Sequence, residues 1–436
     1  MLIVQNTENR FPSHQHLWLA SLVALPYIMY GSLIVMLCLI ISEMRLRGHK
    51  VWQICAQWGF GWLSAGMLLS AGFGINRGDA FLQLVNFLPF FVLWGVFVTN
   101  PKAMVRPFAT LEVLARWLVV SAMPLCAIAL IEYLLKFEAL IEPVKASPLP
   151  QWLIGWLYEE PYFGHRARSL FDHPNALSAY LVMILGLGLG LLLKDLLSRS
   201  NTGSAASPRP RTKSGGWTAG AVTLCLAAVF CTGSRNGVLI ALLLIGAALY
   251  SARRYRWAWM LGTVGVGAIA SAVLSFGIGG RSLSLSIFTN DPRIGVWRLA
   301  IEMSQQRPFL GWGLSGLREL YMPQSIPGYD SIFHAHNIFL FLSSETGIPV
   351  TIGFCAIVGI IIYRAIRAYT QPTITSHLSA DNKAVLLSYL LAMFACLLFS
   401  LFDVVLFDAR LNVFSWGLLA ALYLLSGAQP QSAKHH

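Results

Sequence analysis

The chain is a succession of apolar runs, each close to the length of a membrane span and separated by short stretches that hold most of its charge. A bilayer core of roughly 30 Å takes about 20 apolar residues per helix. In lipid, every backbone amide and carbonyl must be paired inside its own helix or in a closed barrel. Runs of this kind therefore predict helices. Charged residues are 11% of the 436 and hydrophobic residues 56%, whereas a soluble domain carries roughly 25% charged residues. So little charge does not cover a water-soluble surface of this size. A soluble enzyme, a disordered chain and a disulfide scaffold are excluded. The expected fold class is all-α, a polytopic integral membrane protein with about 11–12 transmembrane helices.

Eleven stretches reach the required length: 18–42, 52–75, 80–98, 107–135, 174–193, 217–233, 236–252, 257–278, 338–363, 384–402 and 411–427. The first is too long and too weakly basic at its start for a cleaved signal peptide and is kept as a helix. Lysine and arginine gather in 43–51, 99–106, 194–216, 253–256 and 364–383, which alternation places on one side together with the tail. That bias makes this side cytoplasmic. The net charge of +12, from 31 basic against 19 acidic residues, then reports topology and anionic lipid. Membrane lipids are the expected partners, and nucleic acid is not. The seven cysteines all fall in apolar runs, without a CxxC pair, and are read as small buried hydrophobes.

The expected organisation is a single transmembrane domain over 1–427, with a flexible cytoplasmic loop at 194–216 rich in Ser, Pro and Arg. Two larger periplasmic segments, 136–173 and 279–337, are rich in Trp, Tyr, Phe, Gly and Pro. In the second, Asp291 and Pro292 open a helix over 291–305 that Arg307-Pro308 ends. Its apolar face would be Ile294, Trp297, Ala300 and Ile301, set on the outer leaflet. A structural lid is the plainer reading of this helix.

Three features on the periplasmic face carry chemical potential. Thr232-Gly-Ser-Arg-Asn-Gly237 interrupts an apolar stretch, and its glycines permit a tight reversal that presents Arg235 at the interface. A guanidinium there suits phosphate oxygens through its fixed fork of donors, although a snorkelling arginine is the bland alternative. Arg293 lies in the first turn of the 291–305 helix, where free amides add positive potential. Arg235 and Arg293 would together clamp a diphosphate. For Arg298, Arg307 and Arg318, headgroup contact is preferred, with Arg298 kept as a substrate-binding candidate. In Phe333-His-Ala-His-Asn-Ile-Phe-Leu340, two histidines at i and i+2 are poorly spaced for one metal, and no metal is expected. His336, beside Asn337 at the entrance of a helix that continues through Ser343, Ser344, Glu345 and Gly347, is read as the base. His334 is read as a satisfied interfacial histidine. Asp172, His173, Glu302 and Asp403 are all open as partners for His336.

The string His336-Asn337, nine residues, then Gly347 resembles the signature of bacterial O-antigen ligases. The Ser234–Gly237 turn and the stretch from Arg293 through Trp297 to Arg307-Pro-Phe-Leu-Gly-Trp-Gly313 are similar to the broader O-antigen ligase/polymerase superfamily. So is Arg166-Ala-Arg168-Ser-Leu-Phe-Asp-His-Pro-Asn175, which adds Arg166, Arg168 and Asn175 as substrate-binding candidates, alongside Asn337 of the His336-Asn337 string. One departure is Ile348-Pro349-Val350 where a second glycine would follow Gly347.

The resemblance implies a GT-C-like, inverting glycosyltransferase of the inner membrane that faces the periplasm and uses neither metal nor cofactor. It implies an undecaprenyl-diphosphate-linked glycan donor and lipid A–core as acceptor, with Arg235 and Arg293 on the diphosphate and His336 assisting the acceptor hydroxyl. An O-antigen polymerase or a protein O-oligosaccharyltransferase would share donor and clamp but not acceptor. A transporter would instead place its ionisable residues at the midplane, in two related halves.

Overall fold

The computed structural model describes residues 11–158, 163–200, 214–253, 291–322, 332–371 and 378–427, with isolated positions between them. The expected span 257–278 falls largely outside these residues. So do 201–213 of the expected linker, Arg254 and Arg256, and residues 279–290. Among the described residues there is no strand. Seven helices are long and apolar enough to cross a membrane: Met29–Gln57, Arg77–Val98, Pro107–Leu135, Pro174–Leu196, Ile348–Thr370, Ala380–Ser400 and Ala409–Gly427. Three shorter apolar helices accompany them, Phe60–Gly72, Gly216–Cys231 and Arg235–Ser251. The protein is an all-α, multi-pass membrane protein, as the apolar runs predict.

The chain forms two compact units. The first comprises Met1–Leu114, Phe288–Leu378 and Ser400–His436. Its core includes a cluster of aromatic rings on three helices. Phe60 lies 4.9 Å from Trp94 and 5.0 Å from Phe91, and Trp416 lies 5.3 Å from Phe91. These tilted and edge-on pairs are the geometries the ring quadrupole favours. Outward-facing positions such as Trp62 and Tyr30 are exposed and apolar, as lipid contact requires.

Two expected boundaries in this unit are corrected. The run 18–42 is split between Phe11–Ala24 and Met29–Gln57, and the basic stretch 43–51, read as a loop, is helical. Arg47 leaves helical geometry (φ −147°, ψ 25°) and kinks Met29–Gln57 there. Its Nε donates to Glu43 at 2.7 Å and its Nη1 to the Thr99 carbonyl. A charge neutralised one turn away no longer forces the chain into water. The contact with Thr99 also brings 43–51 and 99–106 to one end of the unit, which agrees with their assignment to a common side. The second correction concerns 338–363, which is two helices, Ile338–Thr346 and Ile348–Thr370, broken at Gly347.

The second unit comprises Ala115–Ile287 and Ser379–Phe399. Gly186 and Gly190 on Pro174–Ser200 face Ala392 and Ser388 on Ala380–Ser400 so closely that a Cβ on either glycine would fall 2.5 Å from a backbone nitrogen of that helix. Small residues four apart on both helices allow the backbones to touch, the usual means of helix association in lipid. Arg116 makes two bonds to Asp195 (2.6 and 3.1 Å), and Thr218 donates to the same carboxylate at 3.2 Å. Five cysteines are buried as expected, but Cys38 is exposed and Cys355 half-exposed.

Candidate functional site

In the second unit the Arg166–Asn175 segment and the Thr232–Gly237 turn form one hydrogen-bonded structure. Arg166 donates from Nε to the Thr232 carbonyl at 2.8 Å and from Nη2 to Asn175 Oδ1 at 2.6 Å. The amide of Ala167 donates to the Cys231 carbonyl at 2.9 Å. Gly233 takes a left-handed φ of 61°, and a Cβ on it would lie 2.8 Å from Arg166 Cγ; glycine is required on both counts. Ser234 then caps the next helix, its Oγ accepting from Gly237 N at 3.3 Å. Arg235 is thus the first residue of Arg235–Ser251, half-buried at a helix N-terminus.

Beneath this turn lies a group that the sequence reading missed. Glu132 is fully buried and accepts from the amides of Arg168 and Ser169 at 2.9 and 2.7 Å. Lys136, 2% exposed, donates to Glu132 at 2.7 Å and to the Arg166 carbonyl at 3.0 Å. The available signal was an acid and a base four residues apart inside an apolar run. Arg168 itself is half-buried, its Nη2 3.4 Å from the Trp156 carbonyl.

In the first unit the expected helix is Arg293–Gln306, with Asp291 Oδ1 accepting from Arg293 N at 2.9 Å. Its buried face is Val296, Ala300, Met303 and Ser304, rather than the expected set, in which Ile301 proves exposed. The helix packs on Ile338–Thr346, and Ser304 and Ser343 hydroxyls meet at 3.0 Å across the contact. Burial follows this partner helix, which shifts the face by one or two positions. Arg298 and Glu302 point outward and are exposed.

The Arg307–Gly313 motif closes the end of the broken helix. Trp312 and Gly313 amides donate to the carbonyls of Ser344 and Glu345 at 3.0 and 2.8 Å, and Ile348 N donates to the Pro308 carbonyl at 2.8 Å. The last carbonyls of a helix lack partners within it, and here a passing segment supplies them. Gly311 (φ 65°), Gly313 (φ 85°) and Gly347 (φ 88°) all lie at this crossing. The fully buried Glu345 carboxylate accepts from the amides of Gly316 and Leu317 at 2.9 and 2.6 Å.

At the other end of Ile338–Thr346, Asn337 caps the helix, its Oδ1 accepting from Phe339 and Leu340 amides at 3.0 and 3.1 Å. Its Nδ2 donates to the Leu401 carbonyl at 3.1 Å, which draws in the 401–408 loop and Asp403. His336 Nδ1 is 3.5 Å and His334 Nε2 3.9 Å from Asp403 Oδ1. His336 holds a left-handed φ of 49°, strain of the kind that persists where surrounding contacts fix it. Of the residues open as partners for His336, Asp403 is the one beside it in this unit, and Glu302 faces away.

Electrostatics bring Arg293 into the group. Burial pushes the His334 imidazole down to about 4 against the opposing pull of Asp403, with the His336 and Arg293 charges adding to the fall. Burial alone would raise Asp403, but the bond to His336 and the charges of His334, His336 and Arg293 hold it well below the usual carboxylate range. Asp403 is therefore an anion that faces two imidazoles. With its Nδ1 edge held to that anion, His336 keeps Nε2 as the basic nitrogen.

His334, His336 and Asp403 also have the composition of a metal ligand set, with ligand atoms within 4.8 Å of one another. Tetrahedral zinc would hold such atoms roughly 3.3 Å apart. However, His334 Nδ1 accepts from His336 N at 3.3 Å. The neutral ring then carries its proton on Nε2, the nitrogen facing Asp403, where a metal needs a lone pair. The arrangement fits a proton better than a metal.

The protein is an all-α multi-pass membrane protein with an arginine at a helix start in one unit and an imidazole–carboxylate pair in the other. Residues 220–355 match the family model described as O-antigen ligase. The matched segment contains Arg235, Arg293 and His336, and its similarity supports the O-antigen ligase/polymerase superfamily. That family implies a lipid-linked glycan donor in a membrane setting. Comparison with curated proteins finds no match.

Proposed function

We propose that the protein is an O-antigen ligase, which transfers a glycan from undecaprenyl diphosphate to a sugar hydroxyl of lipid A–core at the periplasmic face of the inner membrane. The observation that carries this reading is the His336–Asp403 pair, with Arg293 acting on it, inside the segment that matches the family. His336 Nε2 takes the proton of the acceptor hydroxyl as its oxygen attacks the anomeric carbon. The bond from that carbon to the diphosphate oxygen breaks, and the lipid diphosphate leaves with the electron pair. Attack opposite the leaving group inverts the centre. A diphosphate is already a good leaving group, so positioning and neutralisation of developing charge are the main tasks. Arg293 takes the second task, Arg235 is kept as a phosphate contact within its own unit, and no metal is needed for either.

The remaining candidates divide by their contacts. Arg166 and Asn175 shape the turn that presents Arg235, and Asn337 shapes the entry that presents His336. Arg168 is kept as a donor contact, and the exposed Arg298 as a contact for donor or headgroup phosphates. The testing experiment is transfer by purified protein from lipid-linked glycan to three acceptors, lipid A–core, a growing glycan chain and a protein, with and without chelator. Transfer to lipid A–core that survives chelation and is lost in His336→Ala supports the reading. Preference for the glycan chain makes the protein a polymerase, and preference for protein makes it an O-oligosaccharyltransferase.

A further inference from the structure

A cavity of about 300 Å³ opens against His334, lined also by Gln83, Ser315, Arg318, Phe333 and Phe407. It stands at the small end of ligand pockets, which run from roughly 300 to 1,000 Å³, a size that suits one sugar ring.

Ser315 is the residue that marks this cavity as a site. It is 7% exposed, its hydroxyl has no hydrogen-bond partner among the described residues, and its backbone holds a left-handed φ of 89°. The strain has a source: the next two amides, of Gly316 and Leu317, are drawn to the Glu345 carboxylate. A buried hydroxyl without a partner is costly, and so is a non-glycine residue at such a φ. The Glu345 bonds account for the strain, so the unmet hydroxyl is the cost left for a ligand to offset by supplying the missing bond.

The other walls complement it. Gln83 Oε1 accepts from Asn86 Nδ2 at 2.7 Å, which leaves the Gln83 amide nitrogen to donate. Phe407 stacks on His334 at 5.6 Å and packs edge-on to Phe341 at 5.2 Å, a rigid apolar wall. Phe333 is exposed, with the Arg318 guanidinium 5.2 Å over its ring. Apolar ring faces beside a few hydrogen-bonding groups match a pyranose, which has an apolar C–H face and a rim of hydroxyls.

We propose that this cavity is a subsite for one pyranose ring of a glycan substrate, with Ser315 Oγ and the Gln83 amide as hydroxyl partners and Phe333 and Phe407 as its apolar wall. The proposal rests on the glycan-transfer reading above. Because His334 belongs both to the cavity wall and to the Asp403 group, a ring seated here stands beside His336, and the acceptor glycan is the expected source. The donor glycan offers the same chemistry.

The test uses the full-length protein in nanodiscs and two soluble probes: core oligosaccharide freed of lipid A, and donor glycan freed of its lipid diphosphate. Saturation-transfer NMR measures binding of each to wild type, Ser315→Ala, Ser315→Gly and Gln83→Leu. Glycine suits the left-handed backbone, so Ser315→Gly keeps the fold while removing the hydroxyl. The expected result is about tenfold weaker binding of core oligosaccharide in both Ser315 variants, the worth of one hydrogen bond. A rise of similar size is expected in the acceptor KM. Weakening confined to the donor probe also supports the subsite and assigns its ring to the donor. Equal binding by all four proteins, or no binding of either probe, overturns it. Wild type that binds core oligosaccharide through Ser315 but transfers no glycan leaves the subsite standing and overturns the ligase reading instead.

Discussion

His336 Nδ1 lies 3.5 Å from Asp403 Oδ1, across two loops that meet because Asn337 reaches the Leu401 carbonyl. In the proposed reaction the carboxylate aligns the imidazole and stabilises the charge it acquires on taking a proton. Asp403→Asn keeps the shape and loses the anion. Transfer should fall by about 10²-fold or more, with the acidic arm of the rate profile, where the base becomes protonated, displaced from that of wild type. An unchanged profile, measured by in vitro transfer from pH 5 to 9, assigns Asp403 to folding alone.

Arg235 presents a planar fork at a helix start, and Lys offers only a point charge. Arg235→Lys should lower kcat by roughly 10²-fold, the cost of one lost electrostatic donor in a transition state, while protein level in the membrane holds. Wild-type turnover in this variant would reduce Arg235 to a topology signal.

Desolvation in its half-buried place pushes the His334 imidazole down from 6.5 to about 4. Between those values the unfolded chain binds the proton and the folded protein does not. Its contribution to stability is therefore full above pH 6.5 and is lost as the pH falls towards 4. Asp403, also held low, loses its contribution only at still lower pH. Thermal melts of the solubilised protein should show Tm dropping from pH 6.5 to 4, with a shallower drop in His334→Gln. Parallel curves for the two proteins would contradict the assignment.

Gly347 has φ 88° and ψ 160°, and a Cβ there would meet the Phe309 carbonyl. That backbone region is essentially closed to other residues, at a cost of about 1–3 kcal/mol. Gly347→Ala should reduce the yield of monodisperse protein on size exclusion, even though the substitution is small and apolar. Normal yield and melting temperature would mean that the crossing of 308–313 over 345–348 is not needed for folding.

Much of this site was legible because local rules decided it. Gly233 and Ser234 are turn and cap residues, and they start a helix at Arg235 as their types predict. Asp291 and Pro292 likewise set the start of Arg293–Gln306, and Arg307-Pro308 its end. The break at Gly347 was not legible, because the runs on either side of it are equally apolar and periodic. It depends on carbonyls being satisfied by Trp312 and Gly313, which come from another part of the chain. The basic stretch around Arg47 misled for a related reason: its charge is cancelled by Glu43 and a distant carbonyl rather than by water. His336 was singled out by type and position, whereas its pairing with Asp403 and not Glu302 depends on the loop contact made by Asn337.

The two amides that Glu345 holds belong to Gly316 and Leu317, which leave the ribosome before it does. Until the later residue arrives, the two earlier amides lack the acceptor that holds them, so this corner of the protein completes its bonding only after residue 345 has been made.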